Sequence, residues 1–582
     1  MRRTTRIFVG LAAISALVLG GCSVDKSNST NVGQSGSESG GQSGTTSGTA
    51  DMPPLEDINR QDRSALAEGG ELRFAISSLP DAYNILHLYG SNVDYTTTMG
   101  RFLGINPNWL FQEDGSFEGD PNFIESFDVK EGSATEKQVV TLNLNKDAKW
   151  GNGKPINAAD YIATVNACSG KDEKFVCAAT DGFRDIESVE QGDSEFQVVV
   201  TYPQAFPDWS AALSMALPAE GVSDAKTFNE GWKEPNNDWI AGPYRFKDFD
   251  KAQEVITLEQ NPDWWGEKPL LDEISFRAAD PSAQSNAFAN GELDVLQGII
   301  DGEQYNNALT NPNAEVRRAG GLQWRHFTFN TESGVLQDQA VRQAIVKGID
   351  NASIAAADLA GIPDLDPNSL LLGNHFFMPG QVGYEDNLGD YAYDPEAASA
   401  ELDELGWKLD GEYRAKDGKA LEFDYAMMPD ISTSKTEGEL LQSQMAAIGV
   451  KVNIVNVSTD EFFTDTTPEG KFGVTAFAWQ GTQYPLANVG QIYGCDSVAP
   501  NGSNFSRLCV PEIDELDKQI QTEADSDKRN ELGNEVDKVI WDSVMTQPIY
   551  RRLELTAVPK NLANYGAFGM TTVPGEDIGY MK

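Results

Sequence analysis

Histidines, cysteines and carboxylates are where chemistry is sought first, and in these 582 residues their distribution argues against a reaction centre. The three histidines, His87, His326 and His375, are far apart in sequence, and neither a GxSxG nor an HExxH pattern accompanies them. A nucleophile with its base, or a zinc site, has no local support, so the expectation is no catalytic residue, no metal and no cofactor. The 89 acidic residues supply many carboxylate pairs, but spacing alone carries no information about glycosidase-type chemistry. Four of the five cysteines fall into two local pairs, Cys168/Cys177 and Cys495/Cys509, without CxxC spacing or a nearby histidine. In an oxidising, exported setting these read as short-loop disulfides, each closing about 10 to 15 residues and contributing about 3 kcal/mol in the chain-entropy model.

The fifth cysteine belongs to a different kind of chemistry. Arg2, Arg3 and Arg6 precede an apolar run from Ile7 to Leu19, and Leu19-Gly20-Gly21-Cys22 follows. The run is too short for a stable membrane span and reads as a signal peptide over residues 1–22. Its end resembles the bacterial lipobox, which makes Cys22 the diacylated mature N-terminus. The Arg2-Arg3 pair is a weak hint of twin-arginine export. Residues 23–55, rich in Ser, Gly, Thr and Asn, cannot offset the entropy of ordering and read as a flexible tether reaching about 30 Å. The expected location is the extracytoplasmic face of the cell membrane.

The remaining chain, about 500 residues, is enough for two or three domains. A net charge of −45 excludes nucleic acid as a partner; a cationic ligand or a plain acidic, soluble surface both accommodate it. Leu72, Phe74 and Ile76 alternate as one face of a strand, and Gln138 to Leu144 repeats the pattern. Asn157 and Asp160 form a capping box before a helix whose stripe is Tyr161, Ile162, Val165 and Cys168. Asp394, Pro395 and Gly406 bracket another helix. Leu421 to Met427, Glu437 to Ile448 and Val452 to Val457 read as strand, helix and strand, which implies a parallel pair with a right-handed crossover. These elements give α/β lobes without giving a function.

Several stretches in order resemble the peptide/nickel/oligopeptide solute-binding proteins of bacterial ABC importers, family 5, in an actinobacterial-like lipoprotein form. DAKWGNGKPINAADYIATVNA (Asp147 to Ala167) is similar to the family's "gvkWsDGkpltAdDvvyt". Gly242-Pro243-Tyr244, NPDWWGEKPLLDEISFR (Asn261 to Arg277), NGELD (Asn290 to Asp294), VRQAIVKGID (Val341 to Asp350), YDPEAASAELDELGW (Tyr393 to Trp407) and GSNFSRLC (Gly502 to Cys509) follow the family pattern in sequence. Tyr244, Trp264, Trp265, Gly406 and Trp407 read as fold determinants within these motifs. The resemblance implies an α/β, two-lobed, three-domain periplasmic-binding-protein-like (class II) fold with a hinge of crossing strands. Its main first-lobe domain comprises 70–107, 226–328 and 547–582, with 108–225 inserted; the second lobe is 329–546. The crossings are expected near Phe327 to Asn330 and Pro548 to Tyr550.

The same resemblance implies capture of a small ligand, a peptide above all, between the lobes and its delivery to ABC-importer permease subunits by a monomer. In peptide-binding relatives a loop after a strand ending in Trp carries an aspartate for the ligand's α-amine. Here that loop is Trp479 to Pro485, and Thr482 stands at the aspartate position, with Asp496 or a shifted loop as the other source of a carboxylate. Ligand-facing candidates are Ser77, Ser78 and Tyr89 in the first lobe, and Asn374, His375, Trp479, Gln480, Thr482, Tyr484 and Asn504 in the second. Competing readings are a tethered protein of the same fold that regulates the cell envelope without transport, and a secreted hydrolase.

Overall fold

The computed structural model describes residues 52–90, 94–105, 107–500 and 502–582; Cys22 and nearly all of the tether lie outside them. The strand Glu71–Ile76 buries Leu72, Phe74 and Ile76, as its alternation requires. It pairs in parallel with Glu273–Ala278, which continues antiparallel into Val255–Gln260 and Tyr244–Asp250. A second, antiparallel sheet has the order Ile124–Lys130, Gln138–Leu144, Gln197–Tyr202, Ser188–Gln191.

Local chemistry fixes the helix beside that sheet. Asn157 accepts the Ala159 N–H at 3.0 Å, and Asp160 Oδ2 accepts the Asn157 N–H at 3.0 Å, so the capping box opens the helix Ala158–Cys168. Asp160 also accepts Trp150 Nε1 at 3.1 Å and the Ala219 N–H at 2.7 Å. Burial pushes its carboxyl above the usual range, against the pull of those N–H donors. The disulfides Cys168–Cys177 and Cys495–Cys509 are both formed.

A third, five-stranded sheet runs Lys451–Asn456, Glu422–Met427, Val474–Gln480, Ala314–Phe329, Thr546–Pro559. The first two are parallel and are joined through the helix Ser432–Ala447, which starts five residues before the expected Glu437. One core unites the first two sheets and takes Val558 to Ile578 from the C-terminal return; another lies against the five-stranded sheet.

Two long antiparallel strands connect these bodies. Residues 314–320 pair with 559–553, and 324–328 pair with 551–546, with a register shift between Gly320 and Trp324. Beyond the shift, residues 323–329 also pair with 480–474. The changeover therefore lies at 320–324 against 551–553. By Phe327 the strand is in the interior of the five-stranded sheet. Gly320 and Gly321 permit the bulge: a Cβ on Gly320 would fall 1.2 Å from Arg551 Nη2, and one on Gly321 would fall 2.7 Å from the Arg552 carbonyl oxygen.

Residues 54–61 run alongside this changeover. Pro54 O accepts the Gly320 N–H at 2.9 Å, Asp57 exchanges backbone bonds with Ala567, and Ile58 O accepts Arg317 Nη1 at 3.1 Å.

Candidate functional site

The two bodies also meet through side-chain contacts outside the strand pairing. Asp208, just before the short helix Trp209–Ala212, receives Arg529 of the helix Ser526–Ser543 in a two-pronged ion pair, Nη1 to Oδ1 at 2.9 Å and Nη2 to Oδ2 at 2.5 Å. The side chains are only 8% and 13% exposed. Next to it, Ser210 Oγ and the Tyr484 hydroxyl are 3.0 Å apart, and the Tyr484 ring stands edge-on to Phe111 at 6.0 Å. Burial raises the Tyr484 phenol pKa, so it remains a neutral hydrogen-bonding group.

The loop after Val474–Gln480 is organised to present Tyr484. Thr482 Oγ1 accepts the Tyr484 N–H at 3.1 Å and donates to Tyr484 O at 3.2 Å, so its hydroxyl closes a turn. Gln480 is exposed. Trp479 is half-buried and stacked in parallel on His326 and on Phe505, with centroids 6.0 Å away in each case. Its Nε1 is buried without a hydrogen-bond partner among the described residues, as are both nitrogens of His326, whose pKa burial holds well below the ordinary value. A small void beside them is lined by Thr328, Trp479, Tyr493, Ser506 and Thr546, among others.

Where the long strands change body, a cavity lies between Glu113 and Met570 on one side and Leu322, Met378, Pro379 and Gln381 on the other, with Leu55, Gly320 and Arg551 at its base. Arg551 donates to Pro379 O at 2.5 Å through Nη1, while its Nε has no partner. Burial lowers its pKa to about 10.

The other residues singled out from sequence are placed as follows. Ser77 ends the first strand, is exposed, and its N–H and Oγ both bond Asp94 Oδ2, at 2.7 and 2.5 Å; Ser78 beside it is also exposed. Tyr89 is 63% exposed, its ring 5.4 Å from His87. Asn374 is fully buried: Oδ1 accepts the Phe376 and Phe377 N–H groups, and Nδ2 donates to Glu385 O and Asn534. His375 is buried with Nδ1 2.6 Å from Asp537 Oδ1 and Nε2 3.3 Å from Thr546 O. Asn504 is fully buried and donates to Tyr493 O, Gly494 O and Leu508 O. Asp496 is exposed. Of the candidates, Tyr484 alone bridges to the opposite body in these bonds, with Thr482 closing the turn that presents it. Sequence reasoning missed Asp208, Ser210, Phe111, Arg529 and Arg551, because no local pattern marks residues that meet only across a seam.

A set of three or more close His, Cys, Asp or Glu groups suited to a metal ion does not occur among the described residues. No helix among them is long and apolar enough to cross a membrane. The geometry joins two packed bodies by a glycine-bearing strand pair and by a set of polar contacts, Asp208 with Arg529 and Ser210 with Tyr484.

The family model for bacterial extracellular solute-binding proteins, family 5 (Middle), matches residues 121–498. The oligopeptide-binding protein OppA of Mycobacterium tuberculosis is 35% identical over 531 residues, which cover 90% of this chain and 87% of that protein. The solved structure of the periplasmic EDTA-binding protein EppA matches with a TM-score of 0.78 at 23% identity, over 90% of this chain and 98% of that one. The oligopeptide-binding protein AppA from Bacillus subtilis, in complex with a nonapeptide, matches with a TM-score of 0.69 at 20% identity, over 89% and 100% of the two chains.

Proposed function

This chain belongs to the family 5 bacterial extracellular solute-binding proteins, with their two-lobed, three-domain class II fold, and from that premise we propose that it captures a peptide between its lobes for an ABC importer. The observation that carries the reading is the pair of polar contacts between the two bodies, Asp208 with Arg529 and Ser210 with Tyr484, in addition to the long strands that change body at Gly320 and Gly321. Such a device does mechanical work: contacts available only in the shut form make ligand binding and closure one equilibrium. The histidines support binding over turnover, since His375 is engaged through both ring nitrogens and His326 is sealed in an aromatic stack. In this reading the protein is a monomer and not an enzyme, and its first lobe comprises 70–107, 226–328 and 547–582 with 108–225 inserted.

With Thr482 closing the turn under Tyr484, free-amine recognition by that position loses its charge, and orientation falls to aromatic and hydroxyl groups. Anchoring through a diacylated Cys22 accompanies the proposal; loss of fatty-acid labelling in Cys22→Ala tests it. Thermal-shift screening of the full-length chain tests the ligand class. A ligand at 100 times its Kd adds about 2.7 kcal/mol of stability. Di- to pentapeptides are expected to raise the Tm; shifts confined to another solute class would refute the peptide assignment.

A further inference from the structure

Met52-Pro53-Pro54-Leu55 precedes the first strand, and two consecutive prolines hold a chain extended while offering no N–H to a sheet. Such a segment lies along a structure and is fastened through its carbonyls and the residues after it. Pro54 O accepts the Gly320 N–H at 2.9 Å, and Asp57 exchanges backbone bonds with Ala567 at 2.8 and 3.0 Å. Asp57 Oδ2 accepts the Arg318 N–H at 3.0 Å, and Ile58 O accepts the Tyr565 N–H at 3.2 Å. Tyr565 belongs to the first core, and Arg318 and Gly320 to the strand that leads into the changeover.

The Leu55 side chain reaches the other body. There the Gln381 N–H donates to Met378 O at 2.9 Å and closes a turn with Pro379 and Gly380 at its centre; Gly380 has φ 96°, the left-handed conformation that the position requires. A Cβ on Gly380 would fall 2.7 Å from Leu55 Cδ2. In the first body Gly569 has φ 58°, and a Cβ on it would fall 2.1 Å from Leu55 O. Glycines of opposite bodies thus receive one residue, its side chain against one and its carbonyl against the other. Met570 of the first body and Met378 and Pro379 of the second line the same gap, and Gln381 Nε2 spans it to Met570 Sδ at 3.0 Å.

We propose that residues 54–58 are a strap across the strand changeover and that Leu55 is its wedge, seated in a socket that is complete only while the two bodies are shut, so that the strap stabilises the shut form. The inference rests on the solute-receptor reading and adds a part to its closing equilibrium, because whatever favours closure also favours retention of a ligand. The socket lies close to the changeover, where opening moves its walls little. A gap of about 1 Å nevertheless forfeits up to about half of a dispersion contact, and it exposes apolar surface of the half-buried Leu55 to water. Truncating the side chain to alanine removes three carbons from that contact, which shifts the balance of shut to open by about tenfold.

The test needs no ligand. Spin labels carried by non-canonical amino acids at two exposed positions, Glu125 on the strand Ile124–Lys130 and Glu535 on the helix Ser526–Ser543, report the distance between the bodies in the full-length chain. The otherwise unaltered chain is expected to populate a short-distance shut form beside an open one. Leu55→Ala lowers the ratio of shut to open by about tenfold, and Leu55→Met, which conserves volume, holds it within about twofold. A ratio that stays the same in Leu55→Ala overturns the proposal, whether or not the Tm falls, because the side chain then supports the fold without biasing closure. A ratio that rises overturns it too, the side chain then being a spacer, as does an unaltered chain with no shut form. Tetra-alanine added afterwards tests the solute-receptor reading separately: if it neither binds nor shifts the distances, the peptide assignment loses support while the strap stands on the ligand-free result.

Discussion

Replacing Arg529 by glutamine removes one half of the ion pair with Asp208 that joins the two bodies. In the shut form the Asp208 carboxylate, 8% exposed, is then left in the seam without its two-pronged partner. Stranding one member of such a pair costs about 3 kcal/mol. In an open form the same carboxylate returns to water and the cost disappears, so the whole penalty falls on closure. Where the ligand-free protein is mostly open, 3 kcal/mol weakens ligand binding by about 150-fold. The charge swap Asp208→Arg with Arg529→Asp restores part of the loss, which separates the electrostatic lock from a packing defect. Calorimetry measures the affinity, and the distance between spin labels on the two lobes measures closure. Unchanged affinity together with an unchanged distance distribution in Arg529→Gln would refute the reasoning, because the pair would then lie outside the closing equilibrium.

Other outcomes follow from burial and connectivity. Glu576, 4% exposed, has its pKa raised to about 8 by burial and by the nearby carboxylates Asp120 and Asp577. The folded state therefore prefers the neutral acid: this contribution is complete below the unfolded value near 4.5 and is lost as pH rises toward 8, at up to about 1.4 kcal/mol per unit. Glu576→Gln flattens that decline in urea-unfolding curves; an unaltered pH profile would contradict the assignment. Converting Cys495 and Cys509 to serine releases a loop with a sequence separation of 14 and lowers stability by about 3 kcal/mol in denaturant titrations. Trp479→Ala opens the stack between His326 and Phe505, costing about 2 kcal/mol of stability as well as affinity, whereas Trp479→Phe retains most of both. An Ala variant that binds normally would take the ring out of the site.

What could be read from the chain was whatever its neighbours along the chain enforce. The alternation of Leu72, Phe74 and Ile76 produced the strand, and Asn157 with Asp160 opened the helix they punctuate. The two cysteine pairs closed the loops their spacing suggested. Loop polarity alone does not tell a ligand contact from a brace within the loop. Asn374 and Asn504 have the composition of ligand contacts, yet each holds its own loop together through backbone donors and acceptors, the ordinary use of a buried carboxamide. The run NHFF, with an asparagine before residues whose N–H groups need a local acceptor, carried that signal for Asn374. Asp208 and Arg529 are separated by 321 positions and share no pattern. Their meeting depends on how two completed bodies come to rest, and a linear reading has no access to that.

Residues 54–61, laid beside the strand changeover, give the chain upstream of them a mechanical setting. A point next to a rotation axis sweeps almost no arc while the far edges of a jaw travel widely. Met52 therefore enters the fold beside the pivot, so that under the proposed anchoring through Cys22 the jaws would swing with little load drawn through that entry point. Moving the entry point to the rim, by circular permutation, would make every stroke carry it along.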